Sequence, residues 1–353
     1  MPRWVPLLVV GLGLAACGAE DDVLLRDEVE AVTSEELDAA GPSTQFQAGF
    51  APLNAPYGGF GGGSCAARRT PVIYVPGNAD DAKYWDFALS GTDSAYDTFI
   101  DRGWRPCELF GINYLSPEEM AEPVSNYHEP QKSAIIGTFI LDVLAYTGAE
   151  KVDIVGHSFG VTLSLEAMRR YGLGDRVRRF VGIAGGLRGL KNCLVAGPAN
   201  PLSPTCGSQN WLDSDVFGFH PNTWWSPNPR MGSFGFREDP RDFTDTKFYT
   251  IRADAHDEVH CSTLAYLPGC GDTAKFESAA NVISQLDVGD GTTAIELDFD
   301  YSDWSPFAFQ GGDSDGVGHL RSARVTGAIQ ADMLGSACLG TECCDSYLGA
   351  CGL

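Results

Sequence analysis

The pentapeptide Gly156-His157-Ser158-Phe159-Gly160 is where this chain's residue types come nearest to covalent chemistry. It follows an apolar, β-branched run, Val152-Asp153-Ile154-Val155, and precedes Val161 to Tyr171, whose apolar spacing is helical and which Gly172 ends. A serine between a strand and a helix, flanked by glycines, is predicted to sit on a reversal too tight for larger side chains. Such a turn lifts Ser158 Oγ to the carboxyl edge of its strand and turns the Phe159 backbone N–H toward the same space. His157 lies within the turn but points elsewhere by geometry, and is expected to support the site at most.

A serine hydroxyl is a poor nucleophile until a base takes its proton, and the base needs a carboxylate to orient it. Of the histidines after Ser158, the choices are His220, His256, His260 and His319. Asp254 and Asp257 are the candidate acids, both in Asp254-Ala255-His256-Asp257-Glu258-Val259-His260, just beyond the strand Phe248 to Ile251. His256 and His260 have the i, i+4 spacing of a helical zinc pair. Here, though, an aspartate holds the glutamate position and the segment leaves a strand, so no metal is expected. Asp298, Asp300 and Asp303 could offer calcium its oxygen ligands, but a solvated acidic loop is the plainer reading. A developing oxyanion needs two fixed N–H donors. One is the Phe159 amide; the other is expected from Asn78, in the turn Pro76-Gly77-Asn78.

The elements that must position these groups are readable as an alternation. Pro71 to Val75 is a buried strand running into that turn, and Glu108 to Tyr114 is a second. Ile135, Ile136, Phe139, Ile140, Val143 and Leu144 recur at helical spacing, with Gly148 placed to stop the helix. The strand before Ser158, its helix, the strand Phe180 to Ala184, the strand Phe248 to Ile251 and a final helix from about Ser322 to Leu334 complete the series. Strands alternating with helices predict an α/β fold with a mostly parallel sheet covered on both faces. Residues 187–246, rich in Pro, Asn, Ser and aromatics, break the rhythm and are expected to form a lid-like insertion on the sheet's rim.

The chain has 353 residues and a formal net charge of −23, with 24 basic residues against 47 acidic. That balance argues against a nucleic-acid partner or an anionic membrane surface, which need Lys and Arg to neutralise phosphate. Residues 1–17 read as an export signal: Arg3, the apolar run Val5 to Leu14, then Leu14-Ala15-Ala16-Cys17. The run is too short to span a bilayer. Its end resembles the lipobox of bacterial lipoproteins, which implies lipidation at Cys17 and a membrane contact made only through that anchor at the cell envelope or cell surface; the alternative is an ordinary cleaved signal peptide and a secreted protein. Residues 18–64 are expected to be a tether, acidic from Glu20 to Asp38 and glycine-rich from Gly58 to Gly63. Residues 65–353 would then be the catalytic domain. The ten cysteines other than Cys17 suit an oxidising compartment, and close spacing suggests the pairs Cys193–Cys206 and Cys261–Cys270.

From about Pro71 to Cys344 the chain resembles bacterial class 2 lipases of the α/β-hydrolase superfamily, and more closely the lipase-like extracellular depolymerases of poly(3-hydroxybutyrate). The resemblance is carried by Cys107-Glu108-Leu109-Phe110-Gly111, Tyr114-Leu115-Ser116, Val152 to Val155, Gly185-Gly186-Leu187-Arg188-Gly189-Leu190, Pro204 to Asn210 and Asp315-Gly316-Val317-Gly318-His319. It implies the α/β-hydrolase fold, His319 as base after its Gly-Val-Gly, and Asp257 as acid, eight residues past Tyr249. Those depolymerases have alanine where Gly156 stands, so the elbow here is the more lipase-like; they have His-Gly where this chain has Pro76-Gly77, which leaves the Asn78 amide available.

The expected activity is therefore hydrolysis of carboxylic esters through an acyl-enzyme, with no cofactor. The expected substrate is a short-chain aliphatic polyester, with acylglycerols as the alternative. A surface lipoprotein that keeps the fold only to bind is the reading of another class. In the insertion, the adjacent Trp224 and Trp225, between Pro221 and Pro227, are expected to grip an insoluble polymer.

Overall fold

The computed structural model describes residues 50, 55–88, 93–122, 126, 129–187, 240–253, 274–276, 278–288 and 319–335. The expected strands form where the apolar runs lie. They are β2 (Val72–Val75), β3 (Leu109–Ile112), β4 (Val152–His157), β5 (Val177–Ile183) and β6 (Lys247–Arg252). Two more strands were not foreseen. β1 (Gly59–Gly61) is buried throughout and pairs antiparallel with β3, so the glycine-rich end of the expected tether is instead a sheet edge. β7 (Val282–Asp287) pairs parallel with β6.

The helices among the described residues are α1 (Ala95–Asp101), α2 (Pro117–Ala121), α3 (Pro130–Thr147), α4 (Phe159–Arg170), α5 (His319–Arg324) and α6 (Gly327–Gly335). Proline at the first position of α3 needs no intrahelical donor there, and Gly148 closes the helix at φ 69°, a left-handed cap open to glycine. The single closing helix expected over 322–334 is broken at 325–326. Gly327, which opens α6, packs so tightly that a Cβ on it would meet Ala95 Cα at 2.8 Å.

All seven strands join one sheet, in the order β1-β3-β2-β4-β5-β6-β7, and every pair but β1 with β3 is parallel. Side-chain alternation along the central strands feeds two buried layers. Ile73, Val75, Ile154 and Phe180 pack under α3 and α4 with Phe139, Ile140, Leu163 and Met168. Val72, Tyr74, Val155 and Val181 pack on the other face with Phe99 of α1 and Ile329 and Met333 of α6.

Sequence order runs outward from the centre in opposite directions, through β2 and β3 on one side and β4 to β7 on the other. The reversal falls between β2 and β4, and in open parallel sheets the crevice outside the carboxyl ends at such a point is where ligands bind. The loops leaving those two ends are Pro76 to Asp81 and the turn at Ser158.

The amino ends of the strands are fastened differently. A disulfide joins Cys65 to Cys107, just before β3, with Cα atoms 5.7 Å apart. Beside it the buried Glu108 carboxylate accepts the backbone amides of Arg69 and Arg105, both at 2.8 Å. The closely spaced pairs Cys193–Cys206 and Cys261–Cys270 lie outside the described residues. Arg178 on β5 forks onto the buried Asp153 of β4 and donates to the Leu334 carbonyl of α6 at 2.9 Å. No described helix is long and apolar enough to cross a membrane.

Candidate active site

β4 ends at His157, α4 begins at Phe159, and Ser158 makes the whole reversal at φ 50°, ψ −121°. A non-glycine residue at positive φ is strained, and such strain persists where the surroundings over-determine it. Here the Ser158 amide donates to Ile183 O of β5 at 2.8 Å, and its carbonyl accepts from Val161 N at 3.1 Å. Gly160 is required by its neighbour: a Cβ there would meet Pro76 O at 2.2 Å and Val75 O at 2.7 Å. The reversal is thus as tight as the flanking glycines predict. Ser158 itself is half-buried, with Phe159 opening α4 at the helix's positive end.

The loop after β2 lies directly against this turn. A Cβ on Gly77 would come within 3.2 Å of Ser158 Cβ and 2.9 Å of His157 Nδ1, so the Gly77 backbone lies directly against those two side chains. Tyr114, fully buried beyond β3, points its hydroxyl at the carbonyls of Pro76 and Gly77, at 2.9 and 3.0 Å. The Asn78 side chain accepts from Asn126 Nδ2 at 2.8 Å, and the same amide group donates to Glu119 O at 2.8 Å. Ala79 continues the loop at φ 57°. Asn78 is therefore held at the mouth of the crevice, beside the Ser158 turn.

His319 is the first residue of α5 and is only 5% exposed. Its ring centroid lies 4.8 Å from that of His157. The structure thus brings Ser158, Phe159, Asn78 and His319 to one end of the sheet. Asp257, its rival Asp254, the histidine pair His256 and His260, His220, Trp224, Trp225, Cys17 and the Asp298, Asp300, Asp303 cluster lie outside the described residues. β6, which precedes Asp257, ends at Arg252 on the same carboxyl edge as β4. Among the described residues no group of three His, Cys, Asp or Glu is placed to hold a metal ion.

Asp80 at this edge went unassigned in the sequence, and His157 was expected to support the site at most. His157 is 2% exposed, and its Nε2 lies 3.1 Å from His319 O, so that nitrogen carries the proton. Nδ1 has no hydrogen-bond partner and faces Asp80 Oδ2 at 4.0 Å. Burial pushes the His157 pKa well below the ordinary histidine value, and the neighbouring His319 pushes it the same way. Burial also lifts the Asp80 carboxyl to about 7, against the pull of Arg324. Burial thus favours the neutral form of both His157 and Asp80, so their close approach is not an ion pair.

A family model described as class 2 lipase matches residues 69–217, a span that includes Asn78, Ser158 and Phe159 but neither Asp257 nor His319. Similar solved structures include lipase B of Aspergillus fumigatus, at 15% identity and TM-score 0.47, covering 81% of this chain and 57% of that one. A Bacillus licheniformis lipase in propeptide form matches at 16% identity and TM-score 0.37, over 55% of this chain and 38% of that one. The naproxen esterase of Bacillus subtilis matches at 13% identity and TM-score 0.32, over 63% and 78%. The chain therefore spans little more than half of the first structure and less than half of the second. The parallel sheet, its reversal between β2 and β4, and the serine turn at that reversal make this an α/β-hydrolase fold.

Proposed function

We propose that the protein is a serine carboxylic ester hydrolase with Ser158 as nucleophile, His319 as base and Asp257 as the acid that orients it. The observation that carries this reading is the positive-φ turn at Ser158, set against the loop of Gly77 and Asn78 at the sheet's switch point. Ser158 Oγ attacks the ester carbonyl as His319 takes its proton. The oxyanion is stabilised by the amides of Phe159 and Asn78, each such donor contributing roughly 3 kcal/mol in the transition state. His319 then protonates the leaving alcohol, and water deacylates the enzyme by the reverse route. No cofactor enters the cycle.

The favoured substrate is a short-chain aliphatic polyester such as poly(3-hydroxybutyrate), on the sequence resemblance and on Trp224 and Trp225. The class 2 lipase match favours acylglycerols as the second reading. Cys17 would tether the exported enzyme to the cell envelope.

The test is labelling with a fluorophosphonate, followed by peptide mapping. The adduct is expected on Ser158 and absent in Ser158→Ala, which should retain its melting temperature and less than roughly a thousandth of wild-type turnover. An inert wild type would leave the binding-only reading standing. Turnover of polymer film, tributyrin and long-chain triglyceride side by side separates the two substrates.

A further inference from the structure

We propose that His157 is a positioning residue for His319: its Nε2–H holds the His319 backbone carbonyl and so ties the base to the residue that precedes the nucleophile. The proposal rests on the triad reading above and adds to it a fourth side chain, one that touches no substrate atom.

α5 is described from His319 onward, and His319 is buried at 5% exposure where that helix meets the end of β4. Among the described residues its carbonyl accepts from Ser322 Oγ at 2.6 Å and from His157 Nε2 at 3.1 Å. Ser322 belongs to α5 and moves with it. The bond from His157 crosses 162 residues of sequence and joins α5 to the end of β4.

The chemistry of the contact fixes the state of the ring. A carbonyl can only accept, so Nε2 must be protonated, and a neutral ring then leaves Nδ1 bare. Nδ1 is buried against the Gly77 backbone and lacks a donor, a cost that packing alone would not require. The groups facing His157 are Asp80 from the β2 loop, and His319 and Arg324 from α5. Its burial keeps the ring uncharged, so no second cation sits 4.8 Å from His319 when that ring takes the serine proton. One imidazole thereby contacts all three parts of the machinery: the Gly77 loop, the serine turn and the base.

The experiment compares His157→Leu with His157→Gln on a soluble p-nitrophenyl ester, with active enzyme counted by fluorophosphonate titration. Leucine removes the donor. Glutamine places an amide N–H about where Nε2 stands. His157→Leu is expected to lower kcat roughly tenfold to a hundredfold with KM unchanged, as misplacement of a catalytic group does. His157→Gln is expected to return kcat to within a few-fold of wild type. Should the leucine variant not fold, His157→Asn, whose amide is one bond too short, takes its place in the same comparison. Wild-type kcat in the donor-free variant, or equal losses in the glutamine and donor-free variants at equal melting temperature, would overturn the proposal while leaving Ser158 the nucleophile. A wild type that neither labels nor turns over would overturn the triad reading and this proposal together.

Discussion

Gly160 and Pro76 meet backbone to backbone: a Cβ on the glycine would lie 2.2 Å from the proline's carbonyl oxygen. The helix behind Ser158 and the loop proposed to hold the oxyanion are thus in direct contact, with no side chain between them to give way. Gly160→Ala should push the two apart at a cost of about 1–3 kcal/mol and lower kcat on any ester. Thermal melting and steady-state kinetics check it; a variant with unchanged melting temperature and kcat would show that the contact is softer than drawn.

Tyr114 should matter to the reaction without touching substrate. Tyr114→Phe removes the buried hydroxyl aimed at Pro76 O and Gly77 O and should cost about 1–3 kcal/mol of stability. The Asn78 loop loses its anchor at the same time, so kcat should fall more than KM changes. Denaturant unfolding with kinetics on a soluble ester measures both; a pure stability loss would separate Tyr114 from the oxyanion loop.

Breaking the Cys65–Cys107 bridge should act on stability and leave chemistry alone. The bridge spans 42 residues, and closing a loop of that length contributes roughly 4 kcal/mol in the chain-entropy account. Cys65→Ser with Cys107→Ser should therefore melt lower yet keep wild-type kcat well below its new transition. A large kcat loss at a temperature where the variant is folded would contradict this.

Carboxyl burial sets a pH dependence. Asp80 is raised to about 7, and Asp86 and Asp153 to about 6, burial being the leading cause in each. A carboxyl that holds its proton more tightly folded than unfolded gives a stability present below about pH 4 and lost as pH climbs through the folded value. These three groups should thus make the protein melt progressively lower between about pH 4 and 7. Asp80→Asn, uncharged throughout, should flatten the upper part of that decline. An unchanged slope between pH 6 and 7 would remove Asp80 as its source.

Much of the fold was legible because its central strands are buried on both faces and read as unbroken apolar runs, as Val72 to Val75 and Val152 to Val155 do. β1 escaped because Gly-Phe-Gly has the composition of a linker, and only the chain pairing beside it makes it a strand. β7 escaped because Val282, Ile283 and Ser284-Gln285 show no clean alternation on a half-covered edge. The serine turn was legible because it is local. The bond from His157 was not, since its acceptor is a backbone carbonyl 162 residues away and carbonyls have no residue-type signature. The bridge between Cys65 and Cys107 escaped for the same reason of distance, while spacing drew attention to nearer pairs.

The bridge sits at the amino ends of the strands, whereas the loops of Asn78, Ser158 and His319 gather at the carboxyl ends. A thiol that opens the bridge therefore acts at the edge away from those loops. For immobilisation on a solid support, the amino edge is accordingly the handle, since a bond made there leaves the working rim facing the liquid.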